Sequence, residues 1–188
     1  VTSRITLSLA ALFVSLLPAC SGDDAGSGAS TGATPDVTIC TPDGTAQSEA
    51  DLPAVALIPE AIAALEQQLG GPQQYFEVNA TARLVNLFVA LNGATVAQSW
   101  VYVDGQLTSN EGQAASGGTF VADNVDLRPD EVLGTVRTQI PEAILETFYV
   151  HGDGKGNVEY GVLTSAQCGG GLDVVVGADG SVKSVDPV

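Results

Sequence analysis

The sequence predicts an α+β fold in which a helix followed by an antiparallel β-meander occurs twice, the strands forming a sheet with the helices packed on one of its faces. Three observations lead there. Two segments with an apolar stripe open on matching tetrads, Leu57-Ile58-Pro59-Glu60 and Leu127-Arg128-Pro129-Asp130. Behind each come runs in which apolar and polar residues alternate, as they do in a strand with one buried face. Asp104-Gly105 and Asp179-Gly180 then fall between apolar runs at corresponding points, and Asp-Gly suits a hairpin turn that needs φ > 0.

The first helix is expected to start at Pro59, since proline at the first helical position loses no hydrogen bond. Ile62, Leu65 and Leu69 form its stripe, and Gly70-Gly71-Pro72 ends it. The second starts at Pro129, carries Val132, Val136 and Ile140, and stops before Pro141. Glu60 and Asp130 lie in the first turns, where the helix dipole favours a carboxylate. Among the strands, Phe76 and Val78 are aligned with Phe148 and Val150, and Val85, Leu87 and Val89 with Val158, Tyr160 and Val162. Asn92-Gly93 marks a further turn in the first unit, with Gly152 to Gly156 in the comparable place of the second. The Gly/Ala/Ser-rich segment from Asn110 to Gly118 is read as a loop leading to Thr119-Phe120-Val121.

A helix with three or four antiparallel strands, present twice, resembles the PepSY-like units and the tandem units of the β-lactamase-inhibitor-protein family of secreted actinobacterial proteins. The resemblance spans about residues 53–188 and implies a scaffold that binds other proteins on its sheet. It carries over no binding residue. The resulting division is 1–19 signal peptide, 20–52 lipidated cysteine and flexible tether, 53–122 first unit and 123–188 second unit.

The N-terminal segment is read as an export signal. Arg4 precedes an apolar run from Ile5 to Leu17, too short for the ~20 residues that a membrane-spanning helix needs. Leu17-Pro18-Ala19-Cys20 resembles the bacterial lipobox, with Pro18 as a departure. The resemblance implies cleavage before Cys20, diacylglycerol on its sulfur and attachment to the extracytoplasmic face of the cell membrane. An ordinary secretory signal with an incidental cysteine is the alternative. Ser21 to Pro35, rich in Gly, Ser, Ala and Thr, reads as the tether. Val1, in a sequence without methionine, is read as a GTG start, and the Lys-poor usage as that of a high-GC bacterium.

Six basic residues against 22 acidic ones give a formal net charge of −16. That field opposes nucleic acid and a basic-patch approach to anionic lipid. His151 is the only histidine and stands at a strand end. The acidic turn Asp153 to Glu159 lacks the alternate spacing of a calcium loop, and Gly169-Gly170-Gly171 has no following Lys-Ser or Lys-Thr. No metal, cofactor or catalytic residue is therefore expected, and the protein is read as a non-enzyme. Trp100 and Tyr102 share one face of a strand, alternating with Val101 and Val103. They belong either to the core or to an exposed patch that anchors a partner. With Cys20 taken by lipid, Cys40 and Cys168 remain on the oxidising side of the membrane, where a disulfide between them is expected. Two separate thiols are the alternative. Two functional classes follow: a non-catalytic module that binds an envelope protein, or a carrier enclosing an apolar ligand such as a lipid.

Overall fold

A computed structural model describes residues 43–188. The signal peptide, Cys20, most of the expected tether and Cys40 lie outside the described residues. The architecture is α+β, dominated by one antiparallel sheet. Helix α1 (Ile58–Leu69) is followed by β1 (Gln74–Ala80), β2 (Val85–Leu91), β3 (Val96–Val103) and β4 (Gln106–Ser109). Short β5 (Gln113–Ala114) and β6 (Phe120–Val121) lead to α2 (Pro129–Gln139). The chain closes with β7 (Ala143–Gly152), β8 (Val158–Ala166), β9 (Gly171–Val176) and β10 (Val182–Pro187).

The sheet runs β10-β9-β8-β7-β1-β2-β3-β4, with β5 beside β3 and β6 beside β1. Two four-stranded meanders thus meet through their first strands, β1 and β7, which pair antiparallel. The ladders correspond closely. β1 is bulged between Tyr75 and Glu77, with Tyr75 opposite Val89 and Val78 opposite Leu87. β7 is bulged between Leu145 and Thr147, with Leu145 opposite Thr164 and Phe148 opposite Val162. The same irregularity at the same place in both halves makes Tyr75, Val78 and Ala80 the counterparts of Leu145, Phe148 and Val150. The expected alignment, Phe76 with Phe148 and Val85 with Val158, is therefore two residues out. A bulge adds one residue to one strand of a pair, so Tyr75 turns inward and Phe76 is left half-buried.

Strand alternation places Tyr75, Val78, Val85, Leu87, Phe148, Val150, Val162 and Val174 in one continuous core, together with Ile58, Ile62, Leu65, Val132 and Val136 of the helices. Tyr102 Oη donates to Glu60 at 2.5 Å and Tyr75 Oη to Glu66 at 3.3 Å, tying strands to α1. Leu69, expected on the stripe, is 40% exposed. Gly70 ends α1 at φ +84°, a left-handed C-cap that glycine adopts without penalty.

The turns divide the two halves. Asp104 and Gly105 have φ of +50° and +74° between paired Val103 and Gln106, the two-residue type I′ geometry expected. Around Asp179-Gly180 only the glycine is left-handed, at +80°. Gly177 donates its N–H to Ser181 O at 2.8 Å and Gly180 donates to Gly177 O at 2.9 Å, so this hairpin has a three-residue loop ending in a bulge. The segment read as a loop from Asn110 to Gly118 contributes β5. Its end bridges Gly118 to Gly152. A Cβ on Gly118 would lie 2.2 Å from Gly154 N, and one on Gly152 2.6 Å from Thr119 N, so both glycines are needed for backbone contact.

Residues 43–52, which fall in the segment assigned to the lipidated cysteine and tether, are bound to the second half. The Gln47 amide donates to Leu145 O and accepts from Leu145 N–H, both at 2.8 Å. This side chain satisfies β7 where β1 has ended, since the β1–β7 pairing stops at Ala80 and Phe148. Glu49 pairs with Arg137 of α2. Asp43 N–H donates to Gln167 Oε1 at 2.9 Å and the Gln167 amide donates back to Asp43 Oδ1 at 2.8 Å. The Thr45 backbone N–H on Asp43, followed by its side chain and Gln167, holds that carboxyl below its ordinary range.

Candidate functional site

The sheet face away from the core is organised by register into cross-strand rows. One runs Ser99, Phe88, Glu77, His151, Glu159. Its neighbour runs Val101, Asn86, Asn79, Tyr149, Gly161, Val175, Ser184. A third, in the second half, runs Thr147, Leu163, Asp173, Asp186. Phe76, Phe88, Val101, Val103, Leu163 and Val175 lie half-buried on this face and outside the core cluster.

Trp100 and Tyr102 are not on it. They pair with Leu87 and Val85 and are 7% and 4% exposed within the core. The reading of these two residues as an exposed partner anchor is therefore corrected, because strand parity sends Val101 and Val103 outward instead. Trp100 Nε1 is buried without a hydrogen-bond partner.

At the centre of the outer face the halves have diverged. Asn79 and Tyr149 are counterparts that pair with each other across the β1–β7 junction. In the first half Asn86 donates to Asn79 Oδ1 at 2.7 Å, and Asn79 donates to Glu77. In the second half the Tyr149 ring lies over Gly161, where a Cβ would come within 2.2 Å of the ring. Tyr149 stacks on His151 with ring centres 5.3 Å apart and donates to Asp173 Oδ1 at 2.8 Å. His151 Nε2 sits 3.2 Å from Glu159 Oε1. His151, half-exposed at the end of β7 as expected, is thus also part of a polar cluster. The signal was the alternation of Tyr149 and His151 on one strand face, which becomes informative only once β1 and β8 are in register beside them.

Burial, the hydrogen bond to Asp173 and the nearby carboxylates of Asp173, Glu159 and Glu77 push the Tyr149 phenol well above its ordinary range. Tyr75 is raised by burial and Glu66, Tyr102 by its bond to Glu60, and Tyr160 by burial. A phenol whose folded pKa lies above its unfolded value of 10.0 stabilises the fold fully below that pH and loses the contribution as pH rises through the folded value. Denaturant midpoints are accordingly expected to fall progressively above pH 10, with tyrosinate absorbance appearing at higher pH in the folded chain than in the unfolded one. Tyrosinate forming at its ordinary pKa in the folded chain would contradict these placements.

Several clefts open elsewhere, three of them as follows. One of about 500 Å³ lies between the 49–56 segment and Leu133, Gly134 and Arg137 of α2. Another of about 410 Å³ lies between α1 and residues 122–127. The third, about 430 Å³ and mostly apolar, lies against Ile140, Thr164, Leu172 and Pro187. All are open to solvent, and none includes His151. Among the described residues, no group of His, Cys, Asp and Glu is arranged to hold a metal ion, and no helix is long and apolar enough to cross a membrane. Cys168 is exposed at the β8–β9 turn and disulfide-bonded. Its expected partner Cys40 lies outside the described residues.

No family model and no curated protein matches the chain, so the likeness to PepSY-like and inhibitor-protein units rests on pattern alone. A solved structure of a candidate lipoprotein from Clostridium difficile 630 is similar, with a TM-score of 0.49 at 9% identity. The alignment covers 76% of this chain and 97% of that one.

Proposed function

We propose that this chain is a membrane-anchored extracytoplasmic lipoprotein whose body is a non-catalytic module binding an envelope protein through the outer face of its sheet. The observation that carries the binding surface is the set of half-exposed apolar side chains Phe88, Val101, Leu163 and Val175, outside the core and on either side of the fixed polar groups of β1 and β7. Protein interfaces combine apolar contact area with hydrogen-bonding groups. The anchor is supported by Leu17-Pro18-Ala19-Cys20 and the Gly/Ser-rich stretch behind it. Two acyl chains hold a protein far more firmly than one, at roughly 0.8 kcal/mol per buried methylene.

The test has two arms. Cys20→Ala is expected to abolish incorporation of labelled fatty acid and release the protein from the membrane. Phe88→Ser with Leu163→Ser is expected to weaken capture of the envelope partner by about tenfold or more, a loss of about 1.4 kcal/mol. Far-UV dichroism and the unfolding midpoint serve to verify the fold. Continued acylation of the alanine variant would sink the anchor, and undiminished capture by a folded double variant would sink the binding face.

A further inference from the structure

We infer that the partner's contacting surface is cationic: the outer face is built to receive Lys or Arg side chains set among apolar ones. This deepens the binding-face reading and rests on it. Glu77, Glu159, Asp173 and Asp186 stand in its rows. Glu146 joins them beside the β7 bulge, where it accepts from Ser165 Oγ at 2.6 Å.

Three of these carboxylates are held in place without being neutralised. Glu77 accepts from Asn79, Asp173 from Tyr149 Oη and Glu146 from Ser165, all uncharged donors. The Arg ion pairs among the described residues, Arg128–Glu131 at the start of α2 and Arg137–Glu49 between α2 and the 43–52 segment, both lie away from this face. Among the described residues, the ion pair made by an outer-face carboxylate is that of Glu159 with His151, which is charged only when protonated. Carboxylates whose positions are already fixed lose little side-chain freedom on meeting a cation, so more of the attraction remains in the complex.

The same charges discriminate between occupants. A second copy seated face to face would set carboxylate rows against each other, and an anionic lipid surface would meet the same repulsion. A protein surface bearing Lys or Arg converts both costs into attraction and gives complementary potential, which speeds encounter and excludes wrong partners. Phe88, Leu163 and Val175 between the charges favour a partner with apolar side chains among its cations over a purely basic one.

The experiment uses the full lipidated chain in detergent and, as probe, a synthetic peptide alternating Lys and Leu. A face variant, Glu77→Gln with Glu159→Gln and Asp173→Asn, is compared with a control that removes equal charge elsewhere, Asp51→Asn with Asp123→Asn and Glu142→Gln. The face variant is expected to bind about tenfold more weakly or worse, and the control within about twofold of the parent. Raising salt should erase the difference by screening. Equal losses in both variants would reduce the effect to general acidity and overturn the inference, as would a parent chain that does not bind the peptide. If the envelope partner is still captured by the face variant but lost with Phe88→Ser and Leu163→Ser, the binding face stands and the cationic partner falls. If neither set affects capture, the binding face itself is wrong.

Discussion

Replacing Phe148 by alanine is expected to cost about 3–5 kcal/mol of unfolding free energy, the range for removing a buried aromatic side chain. Phe148 is fully buried, stands between Ala80 of β1 and Val162 of β8, and lies 6.2 Å from the Tyr160 ring. It occupies the seam between the two meanders, where the small Ala80 leaves it room. Phe76 is the informative contrast. It is half-buried on the other face because β1 bulges before Glu77, and Phe76→Ala is expected to cost at most about 1 kcal/mol, in line with partly exposed positions. Urea unfolding of both variants decides the matter. Equal destabilisation would place Phe76 rather than Tyr75 in the core and remove the equivalence of the two bulges.

That contrast marks where sequence reading succeeded and where it stopped. Pro59, Pro129 and Gly70 announced helix ends because each acts locally, through φ or a missing donor. Asp104-Gly105 announced its turn for the same reason. Alternation separated Leu87 from Phe88 and Val162 from Leu163, and so revealed two sheet faces. It did not reveal the bulges at Tyr75 and Leu145, since an extra residue becomes visible only when a partner strand sets the register. Hence Phe76 was aligned with Phe148 although Val78 is the true counterpart. Nor does parity state which face is covered, which is why Trp100 and Tyr102 could be read either as core or as anchor until α1 was placed over them by the Tyr102–Glu60 bond. The binding of residues 43–52 escaped for a related reason. Gln47 contributes nothing to a local pattern, and its role depends on β1 being shorter than β7.

Breaking the bond at Cys168 is expected to produce a loss of comparable size. The proposed partner is Cys40, and geometry favours it: Asp43 is held against Gln167 by a reciprocal pair of hydrogen bonds, with the Gln167 amide also reaching Thr45 O at 3.3 Å. Cys40 is three residues upstream of Asp43 and Cys168 is next to Gln167, a gap that three residues of extended chain, about 10 Å, can close. A bridge there closes a loop on the order of 100 residues, for which chain entropy gives about 4.7 kcal/mol and measured losses run to about 2–5 kcal/mol. It would fasten the 43–52 strap at its outer end, beyond Gln47 and Glu49, so that β7 keeps the amide that satisfies Leu145. Cys168→Ser, Cys40→Ser and the double variant are therefore expected to show the same lowered midpoint, matching the reduced parent, because all four states lack one bond. Peptide mapping without reduction should recover the 40–168 pair. Should both thiols instead alkylate fully in the unfolded, unreduced protein, the bridge does not exist. Should Cys40→Ser leave stability and the state of Cys168 untouched, Cys20 would be the partner, and lipid attachment through Cys20 would fall with it.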